Sequence, residues 1–183
     1  MGISKFEGRY DRNFNTLSLE EQKILGASKV VVIGLGGLGG GVCEMLARVG
    51  VGHLTLIDGD SFEASNLNRQ LLSEEHLIDV PKAQAAKDRV NAINSEVIVK
   101  HLVEYVDESN LHERIKNADV VMDCLDAIDT RFMLQKAAQK ASIPIISGAI
   151  AGVAGQVTTI FPGDKGYESV SYTHLTLPTI YSV

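Results

Sequence analysis

The chain has 183 residues, 45% of them hydrophobic and 22% charged, the balance of one globular domain and not of a disordered or fibrous chain. A net charge of −6 argues against a broad nucleic-acid-binding face, and no apolar run approaches the ~18 residues of a membrane span. The N-terminus, with Phe6, Glu7 and Asp11, carries no signal-peptide core; Cys43 and Cys124 are the only cysteines, each in an apolar segment, so a cytoplasmic protein with reduced, packed thiols is expected.

Residues 1–28 read as an arm and a first helix. The arm is polar, with a compact cluster Arg9-Tyr10-Asp11-Arg12. Ser18 and Glu21 have capping-box spacing, and Leu19, Ile24 and Leu25 can share an apolar face. Four β-branched residues, Val30 to Ile33, open a buried strand spanning Lys29–Gly34, and the segment from Gly40 to Val49 has helical periodicity. A second strand covers His53–Asp58, then comes a polar loop from Gly59 to Gln70. Pro81 stands where a helix can start, and Ala83, Ala86, Val90 and Ile93 fall on one side of it. A strand at Val97–Val103, a helix near Ser109–Lys116, a strand at Asp119–Cys124 and a helix at Thr130–Ala141 follow. The last elements are a strand at Pro144–Ser147, a turn over Gly148–Gly155 and a strand at Gln156–Phe161. Strands and helices alternate with short connections. That pattern predicts an α/β doubly wound, Rossmann-like sheet, mostly parallel with helices on both faces, over residues 29–163.

The chemistry gathers at strand ends. Gly34, Gly36 and Gly39 have the G-x-G-x-x-G spacing between a strand and a helix, which makes a phosphate cradle. Asp58, about 20 residues on, can hydrogen-bond a ribose. These features alone fit an NAD-dependent oxidoreductase. Arg69 and Lys82 weigh against it: two fixed cations beside a glycine cradle suit a polyphosphate whose charge grows as a bond to phosphorus breaks. Asp126, after the fourth strand, can hold Mg²⁺ against phosphate oxygens. Asp123 is expected to be buried and bonded to backbone, and Asp129 and Arg131 to lie on a helix surface. A non-catalytic nucleotide-binding partner subunit is the third reading.

Five motifs stand in register: Gly34-Leu35-Gly36-Gly37-Leu38-Gly39, Asp58-Gly59-Asp60, Ser65-Asn66-Leu67-Asn68-Arg69-Gln70, Pro81-Lys82 and Cys124-Leu125-Asp126. In order and spacing they resemble the ubiquitin-activating-enzyme-like superfamily, most of all its bacterial sulfur-carrier adenylyltransferases of molybdopterin and thiamine biosynthesis. The resemblance runs from about Arg9 to Phe161. It implies adenylation of the C-terminal carboxylate of a small ubiquitin-like sulfur-carrier protein, with ATP and Mg²⁺ and release of pyrophosphate. It further implies that Gly34, Gly36, Gly37 and Gly39 line the phosphates and that Asp58 holds the ribose. Ser65, Asn66, Asn68, Arg69 and Lys82 then belong to the nucleotide site, and Asp126 to the metal. Arg12 matches an arginine that reaches into a partner subunit's site, which implies a homodimer. Ala127 departs from the family, where asparagine is common. The family's zinc cysteine pairs, reactive cysteine and carrier-docking strands would lie downstream, so the chain reads as C-terminally truncated, with zinc confined to the missing part. Residues 164–183 are expected to be a non-native or disordered tail; from about Val170 they resemble the translation of a transposon-end sequencing adapter.

Overall fold

The computed structural model describes residues 8–167. Its spine is a six-stranded sheet in the order β3-β2-β1-β4-β5-β6. The strands are β1 (Lys29–Ile33), β2 (His53–Ile57), β3 (Ile98–Leu102), β4 (Val120–Asp123), β5 (Ile145–Ala151) and β6 (Ala154–Ile160). All neighbours run parallel except β5 and β6. The helices are α1 (Leu19–Ala27), α2 (Gly39–Val49), α3 (Lys82–Ile93), α4 (Leu111–Ile115) and α5 (Ile128–Ala141). The doubly wound α/β class expected from the sequence is the one found.

β1 shows why the sheet is buried on both sides. Successive side chains of a strand point to opposite faces. Val30 and Val32 enter the core shared with α2 and α3, with Cys43, Ala47, Ala83, Ala86 and Val90. Val31 and Ile33 enter the other core, with Leu111, Ile115, Leu134 and Ala138 of α4 and α5. An uninterrupted β-branched run is what a central parallel strand requires.

Three local expectations shift. α1 does begin with a full capping box between Ser18 and Glu21. Its expected apolar face is divided, however: Leu19 and Ile24 are exposed, only Leu25 packs on the core, and Gln22 is the buried residue, donating to Val49 O at 2.9 Å. The span Gly148–Gly155 is a hairpin and not an open turn. β5 continues to Ala151 and pairs residue by residue with β6. The reversal is left to Gly152 and Val153, with Gly152 at φ 58°, the sign that a tight hairpin needs at its first turn residue. Glycine content alone misled here, because small residues in a strand read as a turn. Lastly, residues 164–167 lie against α5: Gln139 donates to Asp164 O at 2.9 Å and Gln135 to Lys165 O at 3.1 Å. The adapter-like segment from Val170 lies outside the described residues. Among the described residues no helix is long and apolar enough to cross a membrane.

Candidate nucleotide site

The carboxyl ends of β1, β2 and β4 open on one cleft of about 1120 Å³. In register, Ile33 stands beside Ile57 on one side and Asp123 on the other. The loops that leave these three residues therefore meet, which is where doubly wound sheets bind ligands. Gly36, Gly37, Leu38, Asp58, Arg69, Lys82 and Asp126 all line the cleft.

The glycines divide into two kinds. Gly34 has φ 85°, and a Cβ there would stand 2.7 Å from Cys124 O; at Gly39 a Cβ would stand 1.8 Å from Gly34 O. Both are demanded by the turn, whatever it binds. At Gly36 and Gly37 a Cβ would meet nothing closer than 3.6 Å and 4.0 Å. The ligand-free fold does not need glycine at those two positions, whereas a phosphate lying on the loop does. The first turn of α2 follows directly; its Gly40 N–H donates to Gly36 O at 3.2 Å, and the turn carries the partial positive charge of a helix start.

Asp58 is tied to this loop. One carboxylate oxygen accepts from Leu35 N at 2.7 Å and the other from Asp60 N at 2.8 Å. Burial pushes its carboxyl above the usual carboxylate range, against the two amides and the Lys82 charge. Each oxygen keeps a lone pair for a ribose hydroxyl. Lys82 starts α3, is 6% exposed, and its Nζ lies 3.0 Å from Asp60 Oδ2. Asp60 Oδ1 accepts from the Tyr105 hydroxyl at 2.6 Å, and that bond, with Lys82, holds the Asp60 carboxyl below its ordinary range against partial burial. The Lys82 ammonium is thus held in place by a carboxylate that is itself held.

Arg69 is exposed at the rim; its Nη1 donates to Ser65 O at 2.6 Å and to Asn68 Oδ1 at 3.1 Å. Ser65 and Asn68 thereby support the arginine and do not line the cleft. Asn66 is 7% exposed and its Oδ1 accepts from Glu63 N at 3.0 Å, closing the loop from inside. Arg12 lies elsewhere. It precedes a short turn, Asn13–Asn15, and Asn13 donates to Val49 O at 3.2 Å, at the far end of α2 from the glycine loop. Arg12 does not line its own chain's cleft.

Asp126 is exposed on the cleft wall after β4. Among the described residues no group of three or more His, Cys, Asp or Glu could hold a metal. One carboxylate beside a phosphate cradle nonetheless fits Mg²⁺, which keeps several waters and takes its remaining oxygens from phosphate. The thiols are unsuited to act as nucleophiles: burial pushes both Cys43 and Cys124 up to about 12.

Three residues went unread in the sequence as site residues. Gln70 is 8% exposed, lines the cleft beside Gly36, and its Oε1 has no partner. Tyr105 covers Gly59 so closely that a Cβ there would stand 2.7 Å from its ring. Arg131, expected at the surface, has a side chain only 13% exposed. A signal for Arg131 did exist, since a cation in the first turn of a helix opposes the helix dipole and calls for a partner.

The family model "ThiF family" matches residues 10–176. The chain belongs to the ThiF family. It is 36% identical over 169 residues to "Molybdopterin-synthase adenylyltransferase" of Haemophilus influenzae, a match over 90% of this chain and 70% of the relative. It is 41% identical over 160 residues to "Sulfur carrier protein ThiS adenylyltransferase" of Bacillus subtilis, covering 85% of this chain and 48% of that one. The solved structure of E. coli tRNA N6-threonylcarbamoyladenosine dehydratase, TcdA, in complex with ATP superposes with a TM-score of 0.78 at 25% identity, over 84% of this chain and 65% of that one. The chain spans about half to two thirds of the length of the curated relatives it matches.

Proposed function

We propose that this ThiF-family chain is the nucleotide-binding part of an ATP-dependent adenylyltransferase acting in the cytoplasm on the C-terminal carboxylate of a ubiquitin-like sulfur carrier. The observation that carries this reading is the meeting of Gly36, Gly37, Asp58, Arg69, Lys82 and Asp126 on one cleft. The named relatives supply the reaction class.

The carrier carboxylate attacks the α-phosphorus of ATP. The bond from that phosphorus to the oxygen bridging to the β-phosphate breaks, giving an acyl adenylate and pyrophosphate. The nucleophile belongs to the substrate, so the protein needs neither a base nor a thiol of its own. Gly36 and Gly37 let the phosphates approach the main chain. Asp58 holds the ribose and fixes the nucleotide's direction. Arg69 and Lys82 face the charge that grows on the leaving pyrophosphate, and act mainly by being in place beforehand. Mg²⁺, bound by Asp126 and phosphate, would supply further charge neutralisation at the same oxygens. Arg12, remote from its own cleft, is assigned to the site of a second copy in a homodimer.

The test is ATP/pyrophosphate exchange by the full chain with a carrier ending in Gly-Gly. Exchange should require Mg²⁺ and carrier. Arg69→Ala, Lys82→Ala and Asp126→Ala should each lower it by about 10²–10³-fold, the scale for loss of one group that stabilises developing charge. Tight NADH binding with no exchange on any such carrier would overturn the reading in favour of an oxidoreductase.

A further inference from the structure

Arg131 lies in the first turn of α5 and its side chain is turned inward. Its guanidinium donates to Gly148 O at 2.9 Å, to Ser147 Oγ at 3.2 Å and to Leu125 O. It also stands 3.5 Å from Asp123 Oδ2. Asp123 is fully buried at the end of β4. Its Oδ1 accepts from Leu125 N at 3.1 Å; its Oδ2 accepts from Ser147 Oγ at 2.8 Å and from the Tyr167 hydroxyl. Leu125 is therefore held by both of its main-chain groups, the N–H by Asp123 and the carbonyl by Arg131. The residue that follows is Asp126.

A buried ion pair is a costly way to join two strands, and apolar residues of similar volume often do as well or better. What the pair adds here is direction. The planar fork of an arginine spreads fixed donors over separate nitrogens and reaches Ser147 from one and the two carbonyls from another, whereas a lysine has all three of its donors on one rotatable nitrogen. Those groups sit on the loop after β4 and on the neighbouring strand β5, so the clamp fixes one against the other.

We propose that Arg131 and Asp123 are positioning residues that hold Leu125 from both sides and so aim Asp126 into the cleft. The purpose assigned to the clamp rests on Asp126 being the metal ligand, as in the function proposed above.

The experiment is calorimetric titration of the full chain with ATP, at graded Mg²⁺ and in EDTA, for the wild type, Arg131→Lys, Asp126→Ala and the double variant. Groups that orient a metal ligand cost about 10–100-fold in metal affinity when lost. Arg131→Lys should therefore raise the Mg²⁺ needed for half-maximal ATP binding by at least about tenfold on that scale. ATP affinity in EDTA should stay within about twofold, and the double variant should be no weaker than Asp126→Ala alone, because the two residues act through one contact. Ser147→Ala, which removes one donor and neither charge, should give the same pattern more weakly. An equal loss with and without Mg²⁺, or effects that add in the double variant, would overturn the proposal. Amide exchange of the ligand-free chain reads the clamp without any nucleotide: Arg131→Lys should speed exchange at Leu125 and Asp126 and leave β1 unchanged. If the wild type shows no Mg²⁺-dependent binding, the metal role of Asp126 falls. Unaltered exchange at Leu125 overturns the clamp itself.

Discussion

Asp58 and Cys124 begin the loops that leave β2 and β4, on either side of β1, and burial raises the pKa of both. At Asp58 two main-chain amides, one on each oxygen, and the Lys82 charge oppose that rise. The Cys124 thiol has the Asp123 charge beside it as well as burial, and both push it up, to about 12. Against an ordinary value of 9.0 that leaves about a thousandfold less thiolate at pH 8. Alkylation of Cys124 by iodoacetamide should then be roughly a thousandfold slower than that of a free thiol at pH 8. It should keep rising with pH through 10 without a plateau, as read by intact-mass spectrometry; a plateau near pH 9 would refute the assignment. The same comparison shows what a sequence discloses about single residues. The place of Asp58 beside the glycine loop follows from its distance along the chain. For Arg131 the sequence signals only the need for a partner; which groups answer it, Leu125 on the loop after β4 and Ser147 and Gly148 on β5, follows from an adjacency that only the folded sheet provides.

At the scale of elements, Ala127 acquires a physical meaning. It is the N-cap of α5, with extended backbone and no side-chain capping bond. Asparagine and aspartate are favoured at that position because the side-chain oxygen satisfies an open amide of the first turn, and the difference from alanine is about 0.5–2 kcal/mol. Ala127→Asn should therefore raise the chain's unfolding free energy by about 1 kcal/mol, visible as a higher urea midpoint with an unchanged slope. An unchanged or lower midpoint would show that an asparagine at this position does not act through the helix cap. Most element boundaries were legible within two residues, since β-branched runs, the Ser18–Glu21 box and Pro81 each act locally. The β5–β6 hairpin was misread because its strand character comes from pairing partners far along the chain: Ser147 faces Thr158, and Gly148 faces Val157. No local pattern of glycine and alanine discloses that.

Across the whole molecule the sheet grades from a closed centre to open edges. β1 is covered on both faces and paired on both sides, while β3 and β6 each have one neighbour. β6 alternates little in burial and leaves Val157 exposed. Native-state hydrogen exchange should be slowest in β1 and β4 and fastest in β6, with β3 between, because local opening follows burial and paired backbone. Equal protection across the six strands would contradict a single graded core. The order of strands was legible only as a class. The alternation of strand and helix fixed parallel pairing, but that β1 sits at the centre follows from where the crossovers land.

The linked side chains Tyr105, Asp60 and Lys82 carry one more consequence, in the currency of net charge. The cleft is lined by four carboxylates, Asp58, Asp60, Glu104 and Asp126, and by three cations, Arg69, Lys82 and Arg131. Lys82 is already matched by Asp60, Arg131 by Asp123, and Glu104 by Arg114. Arg69 is thus the cleft-lining cation whose described contacts are neutral oxygens. On the function proposed above, such a basin would not draw in a bare polyanion by its field; it would admit one that arrives with its own counter-ion, and the carboxylates that repel the first would welcome the second.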